Sequence, residues 1–425
     1  MNEPMTTPAS NTSTAPANAR HHGAAGLTTS GIVTMALALV MLAYAAILIG
    51  GVGKPASWIV DDKGQPTFTD FTALWGAGRL ALEGSPAAAY DWTAHAEAMS
   101  QAIGRPAEVF PFPYPPTFLA FMAPLAALPY LPSLLVWIGL TLAAYLWTCA
   151  HIVGRWQGAV WLGAMIVTLG NIVAGQNGFL TAALMGAGLL LLTSRPLLAG
   201  VLLGTLAYKP HLGLLLPIAL AVAGHWRAFA SASVTVVATT LAALALFGIE
   251  PWWAFIENIG RFGTEIATER FSVTNKLQSA YGFLATLGAP KGLAMAIQLA
   301  LTAALVALTA LVWRSQAPHA LKAAWLTVAS VMMSPYVYIY DLTLLAVAQA
   351  FLLRHWLHTG LDKREAIILL AVNTLIVLMM SIKIPMGFLG STFLLAAVLH
   401  ELMPHLLHGW AQRSRHLSAT RPTRA

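Results

Sequence analysis

The stretch Pro116-Thr117-Phe118-Leu119-Ala120-Phe121-Met122-Ala123-Pro124-Leu125-Ala126-Ala127-Leu128-Pro129-Tyr130 decides how the rest of the chain is threaded. It is apolar, but it is short and carries prolines at 116, 124 and 129. Proline removes a backbone donor and disrupts a helix interior. If the stretch crosses a membrane, Arg155 and Arg195 fall on the outer side. If it turns back or lies along the interface, the parity of everything after it flips. Arg155, Arg195, Arg227, Arg314, Lys322, Arg354, Lys363, Arg364 and the basic C-terminus then all fall inside. Lys and Arg favour the cytoplasmic side, so one change satisfies nearly every charge, and the non-crossing reading is preferred. Irregular backbone at membrane depth must be covered by protein or line a water-filled cavity. A cavity is therefore expected beside this stretch.

Composition demands the membrane. Apolar residues make up 58% of the 425 positions and charged residues 9%, against roughly 25% charged in soluble domains. A single soluble core stops growing near 250–300 residues, by order of magnitude, so the excess apolar surface faces lipid. After a first run at 31–52, apolar runs recur at 116–130, 132–153, 157–174, 177–194, 196–208, 210–225, 228–248, 291–313, 321–338, 340–354, 365–382 and 386–403. A run of about 18 or more such residues is long enough to cross the hydrocarbon core as a helix. The runs lack the period-2 alternation of a barrel. The expected fold is an all-α polytopic membrane protein: a bundle of about twelve transmembrane helices with both termini cytoplasmic.

Around this bundle, residues 1–30, rich in Ser, Thr, Pro, Ala and Asn, read as a disordered cytoplasmic tail. Residues 31–404 form the membrane domain, with external loops at 54–114 and 249–290, and 405–425 form a basic cytoplasmic tail. The first loop holds four basic and seven acidic residues, so the positive-inside rule places it outside. The other external segments on this parity are the Gly175–Gly178 turn, the Lys209–His211 turn, Ser334–Asp341 and Lys383–Pro385.

The net charge of +7 does not signal nucleic acid, because the basic residues sit at the ends of apolar runs. Cys149, the one cysteine, lies in an apolar run and reads as a small core residue. No Gly-rich phosphate loop, His-Glu-x-x-His helix or Gly-x-Ser-x-Gly elbow occurs. Asp61-Asp62 has no third ligand nearby and reads as solvated loop. No metal site or cofactor is expected.

The residues left over for chemistry cluster in the external segments. Asp70 precedes an amphipathic stretch, 72–82, with Leu74, Ala77, Gly78 and Ala81 on one face and Trp75 and Arg79 on a flank. It reads either as a helix cap or as a general base, and the helix as one lying at the interface. Gly84-Ser85-Pro86 stops it. Lys209, between two apolar runs, must pair, snorkel or line a cavity; a phosphate contact is the functional reading. Gln176 and Asn177 sit between two glycines, where their amides either close a turn or recognise sugar hydroxyls. Tyr114-Pro115-Pro116 is a rigid lead-in. Tyr336, Tyr338 and Tyr340 fit an aromatic belt, while Asp341 either caps the following helix or faces the cavity. Arg261, Arg270 and Lys276, with Trp252 and Trp253, fit lipid-phosphate binding or plain interfacial anchoring.

At these residues the sequence resembles a known family. Asp70-Phe71, Trp75, Gly78-Arg79-Leu80, Glu83-Gly84, Pro86 and Tyr90-Asp91 look like the first-loop signature of glycosyltransferase family 87. Tyr114-Pro115-Pro116-Thr117, Pro124-Leu125 and Leu128-Pro129-Tyr130 resemble its next block. Gly175-Gln176-Asn177-Gly178 with Arg195-Pro196, Ala199-Gly200, Gly204 and Lys209-Pro210 resembles the one after, and Ser334-Pro335 with Tyr340-Asp341 the last. The four blocks span about 68–345 and keep their order. A mannosyltransferase branch of the family resembles Ser-Pro-x-Ser-Trp-Asp-His-His at the last block; here Tyr340 and Asp341 stand where that pattern has its histidines.

The resemblance implies a GT-C-type enzyme with amphipathic helices in its outer loops. Such an enzyme takes a hexose, mannose in many members, from a polyprenyl-phosphate donor at the outer face of a bacterial inner membrane. The acceptor is a lipid or envelope glycan, and transfer inverts the anomeric centre without a metal. Asp70 matches the position of the general base. Lys209 is the first candidate for the donor phosphate, with Arg261, Arg270 or Lys276 as helpers; Gln176, Asn177, Tyr114, Arg79, Tyr340 and Asp341 complete the expected donor site. A lipid-linked-glycan transporter or flippase, or an inactive GT-C-like scaffold, are the alternatives. The lack of an inverted repeat argues against transport.

Overall fold

The computed structural model describes residues 37–46, 69–107, 110–267, 276–379 and 381–419. The 1–30 tail, both ends of the first apolar run, Asp61-Asp62 and Arg270 lie outside the described residues. Among the described residues every regular element is a helix.

Among the described residues four helices are long and apolar enough to cross a membrane: Tyr130–Val153, Trp226–Phe247, Lys291–Arg314 and Met386–Leu407. The pair Gln157–Gly163 and Ile166–Ala174, bent by 69°, makes a fifth if counted as one span. This falls short of the twelve expected. The runs 177–194 and 196–208 form helices of 14 and 10 residues, Gly178–Leu191 and Pro196–Thr205. Fourteen helical residues rise about 21 Å, less than the hydrocarbon thickness of about 30 Å. The last helix, Met386–Ala419, continues past the expected domain boundary at 404.

Hydropathy registers apolar side chains and not what covers them. His319–Met332 and Thr343–Thr359 are apolar because they form the centre of the protein, buried along nearly their whole length. Trp226–Phe247 is apolar for the opposite reason: only Ala228 and Ala243 are buried along it. It is held to Pro196–Thr205 by small residues. A Cβ at Gly200 or Gly204 would lie 2.5 or 2.6 Å from the carbonyl oxygens of Ala228 and Ala232, the close approach that small residues permit between membrane helices. That contact accounts for the Ala199-Gly200 and Gly204 pattern.

The proline-bearing stretch 116–130 forms the helix Pro116–Ala126. Pro115 precedes it in extended conformation and Pro116 occupies the first turn, where a missing N–H costs nothing. Its 11 residues rise about 16 Å, too little to span. It packs instead on the helix Thr69–Leu82. Gly78 makes the approach possible, since a Cβ there would sit 2.6 Å from the Met122 carbonyl carbon. Thr72 Oγ1 and Tyr130 Oη lie 2.9 Å apart, and Trp75 Nε1 donates to Leu128 O at 3.1 Å.

The interfacial reading of 72–82 is corrected by these contacts. Phe71 through Gly78 are all buried, enclosed by Pro116–Ala126 on one side and Trp92–Ile103 on the other. A one-sided apolar pattern is seen in the sequence because the remaining side of the helix is filled by small residues and Trp75, which packs edge-on against Tyr130. The surface-lying amphipathic helix is a different one, Glu250–Ala267. It leaves Trp253, Ile256 and Ile259 exposed and packs Phe255 against Tyr90.

A candidate active site at three helix breaks

Three of the polar turns named from sequence come together. Gly175-Gln176-Asn177 precedes the helix Gly178–Leu191, the 3-10 turn Leu206–Tyr208 ends at Lys209, and Tyr338 leads into the short turn Ile339–Leu342. Lys209 Nζ donates to Asp341 Oδ1 at 2.5 Å and to Asn177 Oδ1 at 2.8 Å. Its charge also lies 4.8 Å from the centre of the Tyr340 ring, within cation–π range. Asp341 Oδ2 accepts the backbone N–H of Tyr338 at 3.0 Å. Lys209 is 3% exposed and Asp341 1%, so this is a buried, internally satisfied ion pair. Gly178 lets the turns meet, because a Cβ there would strike the Tyr340 carbonyl and Thr343 Oγ1.

Beside the ion pair lies a cavity of about 260 Å³. Asp70, Lys276, Gln176, Tyr114, Tyr338 and Tyr340 give it its polar groups, and Phe110 to Pro113, Leu74 and Ile339 its apolar wall. Asp70 is the second residue of the helix Thr69–Leu82, inside the first turn and facing the cavity. The Gln176 amide lies close enough to favour the charged form of Asp70. The oxygen of that amide already accepts from Tyr114 Oη at 3.1 Å and from the Asn177 N–H at 2.9 Å. The amide nitrogen is therefore what Asp70 meets. Burial pushes the Asp70 carboxyl up to about 7, against the pull of the Gln176 hydrogen bond and of the Lys276 and Lys209 charges. That places it where a base working near neutral pH needs to be.

The cavity wall is positioned from three directions. Tyr90 Oη donates to Tyr114 O at 2.9 Å. Asn258, from the amphipathic helix, donates to Phe112 O at 3.1 Å and accepts from Trp92 Nε1 at 2.7 Å. His95, kept neutral by burial, bonds through Nε2 to Ala73 O at 2.8 Å, one turn beyond Asp70. From Phe112 the rings of Tyr114, Phe118 and Tyr208 follow at 5.3, 4.8 and 4.7 Å, so packing runs unbroken from the wall to the Lys209 turn.

The structure thus brings together Asp70, Gln176, Asn177, Lys209, Tyr114, Tyr340 and Asp341. It does not bring Arg79 or Arg261 to them. Arg79 pairs with Glu83 at 2.7 Å on an open surface. The Arg261 guanidinium stacks 3.9 Å over Trp92, behind the wall. Lys276 and Tyr338 line the cavity, where sequence had given one a helper's part and the other a place in an aromatic belt. Asn171 was missed altogether. Its Oδ1 accepts the Gly178 N–H at 3.0 Å and so closes the Gly-Gln-Asn-Gly turn. The available signal was an amide, Asn171, in the interior of the apolar run 157–174. Among the described residues no group of three or more His, Cys, Asp or Glu forms a metal-ligand set.

No curated protein and no solved structure matches the chain. A family model does: that of glycosyltransferase family 87, over residues 112–335. The matched region includes Tyr114, Gln176, Asn177, Lys209 and Lys276, and ends before Tyr340 and Asp341. Because it covers more than half of the sequence, and the blocks that resemble the family are the ones that build the cavity, the chain belongs to glycosyltransferase family 87.

Proposed function

We propose that this glycosyltransferase moves one hexose, mannose or a close relative, from a polyprenyl-phosphate donor to a hydroxyl of a lipid or envelope-glycan acceptor. The observation that carries the reading is an open carboxylate of raised pKa, Asp70, beside a lysine in an aromatic-walled cavity. The volume is below the roughly 300–1,000 Å³ of pockets for drug-sized ligands, which suits a single sugar ring. Asp70 takes the proton of the acceptor hydroxyl. The oxygen forms its bond to the anomeric carbon as the bond from that carbon to the phosphate oxygen breaks, and the electron pair leaves with the phosphate. Among the described residues Asp70 is the one carboxylate lining the cavity, and Asp341 is occupied by Lys209, so a single displacement with inversion is favoured over a double one. A lysine ammonium answers the charge that grows on the phosphate.

Membranes containing the protein, given labelled polyprenyl-phosphate hexoses, are expected to transfer label to a lipid or glycan fraction. Transfer only from nucleotide sugars would remove the donor class. The site is proposed to face the outside of a bacterial inner membrane, in keeping with the helix Pro116–Ala126 being too short to cross. A topology reporter fused near Arg227 is then expected to read cytoplasm and one near Ile249, across the long apolar helix Trp226–Phe247, the periplasm. The reverse pair of signals would overturn this orientation.

A further inference from the structure

Two lysines stand near the reacting carboxylate, and their surroundings differ. The Lys209 ammonium has three N–H bonds to give. One goes to Asp341, one to Asn177, and its remaining face lies against the Tyr340 ring. It is buried and does not line the cavity. Its charge is matched by a carboxylate, so the pair is neutral toward anything that enters.

Lys276 is exposed and lines the cavity, and among the described residues its ammonium has no hydrogen-bond or ion-pair partner. Its backbone is nevertheless fixed. Two residues on, Gln278 donates its N–H to Val337 O at 2.7 Å and accepts the Gly387 N–H on Oε1 at 2.9 Å. Gln278 Nε2 reaches back to Lys276 O at 3.3 Å, and Ser279 Oγ donates to Pro335 O at 2.7 Å. Three of these bonds tie the start of the 276–282 segment to the Ser334–Tyr338 turn and to the final helix, and the fourth holds Lys276 to Gln278. Lys276 enters the cavity from an anchored stem, and it acts on the Asp70 carboxylate more strongly than Lys209 does.

We infer that Lys276, not Lys209, is the cation that meets the donor phosphate, and that Lys209 is a positioning residue that holds Tyr340 in the cavity wall. The inference rests on the polyprenyl-phosphate reading. A phosphodiester carries one negative charge and the departing phosphate monoester a second. Among the described residues that line the cavity, Lys276 is the one cation.

The test uses full-length protein in lipid nanodiscs, with geranyl phosphate as the probe, geraniol as its control, and transfer from a polyprenyl-phosphate hexose measured in parallel. Lys276→Gln is expected to weaken geranyl phosphate binding at least tenfold, to leave geraniol binding unchanged, and to lower kcat by about 10²-fold. Its melting temperature should match wild type, because an exposed side chain is changed. Lys276→Arg should restore most of both losses. Equal geranyl phosphate affinity in wild type and Lys276→Gln, with wild type still transferring sugar, would overturn the Lys276 assignment and leave the donor reading standing. Wild-type protein that neither binds geranyl phosphate nor transfers from the phosphate donor would overturn both.

Discussion

Asp70→Asn is expected to lower kcat by about 10²–10⁴-fold, the usual contribution of a positioned base, with little change in donor KM. The wild-type pH profile gives a second handle. Asp70 must be ionised to accept a proton, and burial pushes its pKa up to about 7. The rate is therefore expected to climb as pH rises through about 7 and to level off above it, and that limb should vanish in Asp70→Asn. Stability should respond in the opposite sense. A carboxyl whose pKa is higher in the folded protein than in the unfolded chain favours folding fully below its ordinary range, and this contribution is lost as pH rises through about 7. An asparagine cannot ionise. Above pH 7 the variant should melt at a higher temperature than wild type, measured in detergent by loss of tryptophan signal. An Asp70→Asn protein with wild-type turnover, or with the same rising limb, would remove Asp70 from the reaction.

The second large effect is expected at the ion pair. Lys209→Met leaves the Asp341 carboxylate buried with only the Tyr338 N–H on one oxygen. Removing one partner of a buried pair costs about 3–5 kcal/mol. Adding Asp341→Asn removes the stranded charge, so the double variant is expected to recover most of that loss. Chemical denaturation of the wild type, both single variants and the double variant measures the coupling. Strictly additive losses would mean that the pair is not a unit. Transfer activity should stay low in the double variant even where stability returns, because Tyr340 no longer has a cation against its ring.

Much of this arrangement could be read before any coordinates. Charge parity placed the Gly175–Gly178, Lys209–His211 and Ser334–Asp341 turns on one side of a membrane, and these are the turns that meet. Prolines 116, 124 and 129 marked an apolar run that stays short. What hydropathy could not separate was lipid from protein as the cover over an apolar helix, so Thr343–Thr359 and Trp226–Phe247 looked alike although one is at the centre and the other on the rim. Pairings were legible only when local. The Arg79–Glu83 pair follows from a spacing of four on a helix, and it takes Arg79 out of the site. The Lys209–Asp341 pair joins positions 132 residues apart, and no periodicity records it. Lys276 and Arg261 were indistinguishable as basic residues in one loop. The difference between them is that one is tied to the Ser334–Tyr338 turn and the other is stacked on an indole.

The separation of Lys209 from Asp341 also sets an order in time. Ribosomes complete Lys209 well before Asp341 exists, and in that interval the lysine has Asn177 as its only eventual side-chain partner already made. An ammonium without its counter-ion is costly at membrane depth. The 206–210 turn must therefore remain in contact with water, or with the insertion machinery, while the next 132 residues are synthesised. The ion pair of the site thus closes late in synthesis and not early. A chain that stops before Ser334 would carry the signature of an unfinished protein: an exposed charge at the break between two apolar helices.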